Sequence, residues 1–327
     1  MRRREFLAAA AGAFACTARS RAAERADPVI GYLFAGSRRP DQDNSTDAYW
    51  KGLAELGYVK GQNVEVEYRA ADNDLSRLPE LAQDLVRRQV SVIYVPATGP
   101  ALFAAKAATT TIPIIFVNSG DPIRMGYVTS LNRPGGNVTG VTDFGDELSA
   151  KRLELLKQLV PSASRIGILA PRNYKGLTLE IAHAREIVRA LSLETVLSEV
   201  TSLPEIEAAL ASFAQDRVDG IYVTPGPLFF VLREQVVALM TRLRLPAIYS
   251  FSEFTAVGGL MTYGISVADR SYEAGRYTGL VLKGANPAEL PVRRLTKFDL
   301  ALNLSAARTI GLTVPASFLA LTDRVIE

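Results

Sequence analysis

One pattern occurs twice along the chain, and the repeat limits what the chain can fold into. Val90-Ser91-Val92-Ile93-Tyr94-Val95-Pro96-Ala97-Thr98-Gly99-Pro100 is answered by Val218-Asp219-Gly220-Ile221-Tyr222-Val223-Thr224-Pro225-Gly226-Pro227. Each copy is a β-branched run that ends in a Gly-Pro loop. Ile112-Pro113-Ile114-Ile115-Phe116-Val117 follows the first copy, and Leu245-Pro246-Ala247-Ile248-Tyr249-Ser250 the second. An Ile-Gly strand precedes each, at Ile30-Gly31 and Ile166-Gly167. Two halves with one order of strands predict two similar lobes, and a cleft between lobes favours a small ligand.

The local patterns agree. Apolar runs such as Val29–Phe34 and Val90–Val95 alternate with segments of helical spacing, such as Thr46–Leu56 and Leu75–Arg88. Strands that alternate with helices, and are apolar throughout, predict parallel sheets covered on both faces. The expected fold is therefore α/β, with two doubly wound parallel-sheet lobes joined by a hinge. The expected division is residues 28–143 plus about 260–290 for lobe 1, and 144–258 plus about 291–327 for lobe 2. A short strand is expected at Val128–Ser130 and a single helix over Phe229–Leu243. A length of 327 residues is comfortable for two domains.

Residues 1–26 read differently. Arg2-Arg3-Arg4-Glu5-Phe6-Leu7 and the alanine-rich stretch after it make an export signal, and Arg3-Arg4-Glu5-Phe6-Leu7 fits the twin-arginine pattern. An ordinary secretory signal with an extra arginine is the alternative. Cleavage after Ala18, Ala22 or Ala23 suits the small residues there. The expected location is the periplasm. Cys16, the only cysteine, sits where a lipoprotein anchor would, but Ala13-Phe14-Ala15 is a poor lipobox, which favours loss with the signal. Removal through Ala22 takes away five arginines and one glutamate, so the formal charge of +3 falls to near −1. No basic patch then argues for nucleic acid. No apolar run reaches the roughly 18 residues of a membrane span.

Ligands of open α/β sheets gather beyond the carboxyl ends of the strands. The loops there supply Ser37, Thr98, Gly99, Asn118, Ser119, Asp121 and Asp143 in the first half. In the second half they supply Asn173, Tyr174, Thr224, Pro225, Phe251 and Glu253. Hydroxyls, amides and glycines before helices suit an anion such as a carboxylate. Asp121 or Glu253 suits an ammonium, and Phe229, Phe230, Tyr249, Phe251 and Tyr263 an aromatic wall. The same residue types also serve as helix caps and turn formers. The two Gly-Pro loops are expected to face each other across the cleft.

Catalytic patterns are scarce. His183 is the only histidine, and there is no Gly-x-Ser-x-Gly elbow, Walker loop or dinucleotide fingerprint after the first strand. No metal or cofactor is implied, and a binding protein is expected rather than an enzyme.

Several motifs also carry a family resemblance. They are Ala54-Glu55-Leu56-Gly57-Tyr58-Val59-Lys60-Gly61-Gln62-Asn63-Val64, Ser130-Leu131-Asn132-Arg133-Pro134-Gly135-Gly136-Asn137-Val138-Thr139-Gly140 and Lys151-Arg152-Leu153-Glu154-Leu155-Leu156. Gly258-Gly259-Leu260-Met261-Thr262-Tyr263-Gly264 and Gly311-Leu312-Thr313-Val314-Pro315 complete the set. Together they resemble ABC-transporter substrate-binding proteins related to tryptophan- and tyrosine-binding lipoproteins. The resemblance implies a type I-like periplasmic binding protein, expected to be monomeric, that delivers a small molecule to an inner-membrane permease. An amino acid and an aromatic or branched organic acid both remain open as ligand. A sensory module for a membrane receptor and a secreted α/β enzyme are the rival readings.

Overall fold

The computed structural model describes residues 27–36, 44–97, 99–145, 148–172 and 177–327. The expected export signal, Cys16, Ser37, Thr98, Asn173 and Tyr174 lie outside the described residues, as does the side chain of His183.

The first half runs β1 (Val29–Phe34), α1 (Asn44–Ala54), β2 (Glu65–Ala70), α2 (Leu78–Arg87), β3 (Val92–Val95), α3 (Pro100–Ala108), β4 (Ile114–Asn118) and β5 (Val138–Thr142). The second repeats the cycle as α4 (Ser149–Leu159), β6 (Arg165–Pro171), α5 (Leu177–Ala190), β7 (Glu194–Val200), α6 (Leu203–Gln215) and β8 (Gly220–Val223). It continues with α7 (Pro227–Val231), α8 (Arg233–Arg242), β9 (Ala247–Tyr249), α9 (Glu253–Ala256) and β10 (Met261–Gly264). The remainder is α10 (Val267–Leu282), β11 (Arg293–Arg294), β12 (Asp299–Asn303), α11 (Leu304–Ile310), α12 (Ala316–Leu319) and β13 (Arg324–Ile326).

Among the described residues the strands form two sheets. The first has the order β11-β5-β4-β3-β1-β2, the second β13-β12-β10-β9-β8-β6-β7. Within each, the repeated unit has the same order: β2-β1-β3-β4-β5 answers β7-β6-β8-β9-β10. All pairings are parallel except β10 with β12. The repeated Ile-Gly pair has a packing cause. A Cβ on Gly31 would lie 3.0 Å from Leu85 of α2, and one on Gly167 would lie 3.0 Å from Phe213 of α6. In each lobe a bare strand position therefore lets the equivalent helix settle onto the sheet.

The sheets place two borders differently from the expected division. Met261 of β10 pairs with Ile248 of β9, so residues 261–264 belong to lobe 2. Arg293 of β11 pairs with Val141 of β5, so residues 293–294 close the edge of lobe 1. The chain thus crosses between lobes after β5, after β10 and after β11. Two smaller expectations also change. Val128–Ser130 is not a strand, because the Tyr127 and Val128 amides both donate to the Pro122 carbonyl in a turn. The helix over Phe229–Leu243 breaks at Leu232 into α7 and α8.

The edge of lobe 1 is pinned by charge. Arg69 of β2 donates to Asp84 of α2 through Nε at 2.8 Å and Nη2 at 2.6 Å, and Arg88 adds a bond at 3.0 Å. The hydrogen bonds from Arg69, ahead of those from Arg88, hold the Asp84 carboxyl down at about 2. An unfolded aspartate titrates at about 3.9, so the native state gains from this carboxylate above that pH and loses the gain as pH falls towards 2. Between those pH values the melting temperature of Asp84→Asn will fall less steeply than that of the wild type. Parallel melting curves would show that the network contributes nothing to acid stability.

Candidate functional site

β5 and β10 both leave their sheets at carboxyl ends and run straight into crossovers. Both sheets therefore point their ligand-competent edges towards the hinge, with the cleft between them. The first crossing covers residues 143–148, and the second is the short link Ile265-Ser266 before α10.

On the lobe 1 side, Asn118 and Thr142 both donate to the Gly120 carbonyl, at 2.6 and 2.8 Å, which fixes the loop after β4. That loop presents Ser119. Asp121 is turned to local work: it accepts from the Ile123 and Arg124 amides and pairs with the Arg124 side chain at 3.5 Å. Gly99 starts α3, and its amide donates to the Tyr127 hydroxyl at 3.0 Å. Asp143 accepts from the Gly145 amide at 3.0 Å and pairs with Arg270 at 3.2 Å.

Arg270 is the centre of the arrangement. It lies in the first turns of α10, with a side chain 5% exposed, as is that of Asp143. Its Nη1 also donates to the Ser119 hydroxyl. Its guanidinium lies 4.7 Å over the ring of Phe251, which belongs to lobe 2. Phe230 meets Phe251 edge to face at 5.8 Å, and Arg233 covers Phe230 at 5.1 Å. Thr224, the residue after β8, is buried in lobe 2, with a hydroxyl that has no hydrogen-bond partner. Behind Arg270, burial raises the Tyr94 phenol above its ordinary value. Tyr94 stacks on Tyr49 at 4.1 Å, so that part of lobe 1 is aromatic and stays uncharged.

Glu253 bridges to the second crossing. Its carboxylate accepts from the Val267 amide at 2.8 Å and from the Ser266 hydroxyl, while Ser266 itself caps α10. A second arginine, Arg152 of α4, is 1% exposed. It donates to the carbonyls of Gly145 and Tyr263, each at 2.8 Å, and to the Tyr222 hydroxyl at 3.3 Å. It therefore ties the first crossing to the end of β10.

The structure thus brings Ser119, Asp143 and Phe251 together around Arg270. Asn118 and Pro225, which end or follow strands at the carboxyl edges of their sheets, are buried. Phe229, Phe230, Tyr249 and Phe251 all belong to the packed core of lobe 2, where Tyr249 stacks on Phe254 at 4.5 Å; of these, Phe251 also meets Arg270. Asp121 and Glu253 spend their oxygens on local partners, chiefly backbone amides, with the Arg124 side chain and the Ser266 hydroxyl beside them. Sequence reasoning passed over Arg270 and Arg152. A signal was present: each is the fourth residue of its helix, where the macrodipole disfavours a cation. A groove of about 530 Å³ opens between α8 and α11, lined by Arg242, Gly258 and Asn303 among others. It lies at the amino end of β10, the edge opposite the crossovers. Among the described residues no cluster of histidine, cysteine or acidic side chains is placed to hold a metal. No described helix is long and apolar enough to cross a membrane.

Two lobes that share one five-strand order on either side of a cleft define a type I-like, two-lobed binding protein. Residues 38–326 match the ABC transporter substrate binding protein family, and the chain belongs to that family. It is a family of binding proteins, not enzymes. A tyrosine-binding protein of Clostridioides difficile (strain R20291) is 28% identical over 274 residues, 84% of this chain and 78% of the relative. An ABC domain from Streptococcus pneumonia in complex with L-Trp superposes with a TM-score of 0.82 at 28% identity, over 92% of this chain and 100% of the other. The ligand-free, open structure of a substrate binding protein with adhesive properties from Clostridium difficile gives 0.65 at 24% identity, over 91% and 99%.

Proposed function

We propose that this protein is the periplasmic solute-binding component of an ABC importer. It captures one small organic ligand, an amino acid or an aromatic or branched organic acid, in the inter-lobe cleft. The observation that carries the reading is the convergence of both lobes on one buried spot, where Arg270 joins Ser119 and Asp143 of one lobe to Phe251 of the other. The ligands of the tyrosine-binding and L-Trp-bound relatives support the class of solute.

Hinge closure then follows from differential affinity: a ligand that touches both walls favours the closed arrangement. The closed form is what an inner-membrane permease would receive. The mature protein, screened with L-tryptophan, L-tyrosine, L-leucine and indole-3-acetate, is expected to melt at a higher temperature with at least one of them. A ligand at 100 times its Kd adds about 2.7 kcal/mol. The same ligand should lower the radius of gyration in small-angle scattering. A panel that leaves both quantities unchanged would sink the proposal.

A further inference from the structure

Arg270 is held by one corner and one face, and its remaining edge is unused. Nη1 is taken by Ser119 and Asp143, and the ring of Phe251 covers the guanidinium. Nε is buried and has no acceptor. Buried donors are nearly always paired, so an orphan of this kind calls for an explanation. The Nε–Nη2 edge of a guanidinium accommodates both oxygens of a carboxylate at once. At the cleft edge of lobe 2, the Thr224 hydroxyl is likewise buried and unpartnered. Thr224 follows β8 at the carboxyl edge of the lobe 2 sheet, so the topology places this second unused donor on the edge that faces the cleft.

We propose that Arg270 is the carboxylate-reading residue of the cleft, with the Thr224 hydroxyl as a second donor from the opposite lobe. This rests on the solute-binding reading and goes further by naming the group that is recognised and the residues that recognise it. Ser119 and Asp143 are positioning residues: they fix the Nη1 corner and leave the other edge free. Charge selects the class of anion. Arg270 and Asp143 are neutral as a pair, so a carboxylate adds one negative charge to the buried site, whereas a phosphate dianion adds two. Burial penalises the second charge heavily.

The test compares acids with their amides by calorimetry on the mature protein: L-tryptophan against L-tryptophanamide, L-tyrosine against L-tyrosinamide, and indole-3-propionate against its amide. The wild type is expected to prefer the acid by about 100-fold or more, because an amide leaves the charged donor unmatched. The Arg270→Gln/Asp143→Asn double variant removes both charges together, so neither is left buried alone. It is expected to bind acid and amide within about threefold of each other while still binding the ring. Thr224→Val keeps the shape of the side chain and should weaken the acid about tenfold with less effect on the amide. It decides the matter alone if the double variant does not fold. A wild type that binds amides as tightly as acids overturns the proposal and leaves solute binding intact. So does a double variant that keeps the acid preference, or a Thr224→Val protein that loses acid and amide equally. A wild type that binds no member of the panel overturns the solute-binding reading and this inference with it.

Discussion

Alanine at Gly275 will destabilise the protein by about 3 kcal/mol or more, although alanine is the better helix former. On propensity alone, the change would gain about 1 kcal/mol inside a helix. The packing of α10 against α1 reverses the sign. A Cβ on Gly275 would lie 2.0 Å from the Tyr49 carbonyl oxygen, and one on Gly52 would lie 2.0 Å from that of Tyr272. Both obstacles are backbone atoms, so no side chain can swing aside. The helices must part. That would strain the Tyr49–Thr278 hydrogen bond of 3.0 Å and the stacking of Tyr49 on Tyr94. One separation relieves both clashes, so Gly52→Ala and Gly275→Ala together should cost less than the sum of their separate effects. Gly284→Ala is the control: no atom lies within 4 Å of its Cβ position, and its φ of 100° should cost only about 1 kcal/mol. Urea unfolding followed through Trp50, the single tryptophan and a residue of α1, measures all four proteins. A Gly275→Ala protein as stable as the wild type would mean that the two backbones are not in contact. The consequence reaches the cleft, because Arg270 lies on the same helix, just ahead of Gly275.

Lobe 1 and lobe 2 were legible in the sequence because buried parallel strands must be apolar at every position. Val92–Val95 and Gly220–Val223 are buried throughout, and it is their repetition that the eye catches. Borders were less legible. Nothing in Met261–Gly264 says whether the strand adds to the first sheet or the second, since an apolar strand fits either edge. Only its register against Ile248 and Tyr249 decides. Arg293-Arg294 looks like solvated charge, and it is exposed, yet its backbone closes the first sheet.

The site was half legible. Reading the loops after the strands found Ser119, Asp143, Thr224 and Phe251, because topology alone places carboxyl-end loops at the cleft. It could not tell a ligand contact from a cap. Asp121 and Glu253 have the same chemistry as Asp143. All three accept from a backbone amide, and what sets Asp143 apart is a buried arginine beside it. Aromatic residues posed the same difficulty. Phe229 and Phe230 both join the lobe 2 core, and it is Phe251, in the same core, that reaches Arg270.

Arg152→Met is expected to weaken the fold and loosen the hinge together. The methionine can occupy the space of the arginine stem, so the loss falls on the guanidinium. Among the described residues no carboxylate pairs with it; carbonyls and one hydroxyl hold it. Removing the donor strands the carbonyls of Gly145 and Tyr263 where little water reaches, at about 1–3 kcal/mol for each. Lysine restores the charge but not the planar fork, so Arg152→Lys should recover part of the melting temperature and none of the double tie. Gly145 belongs to one crossing and Tyr263 leads into the next. Cutting both bonds should therefore let the lobes separate more readily. Scattering then distinguishes a hinge tie from a simple core post. If Arg152 ties the hinge, the ligand-free variant will have a larger radius of gyration than the wild type, and saturating ligand will restore the compact form. Ligand affinity should fall about tenfold for each 1.4 kcal/mol by which the open arrangement gains. If Arg152 is only a core post, the variant will melt earlier with an unchanged radius and affinity. That outcome would place the hinge elsewhere, in the third crossing after β11.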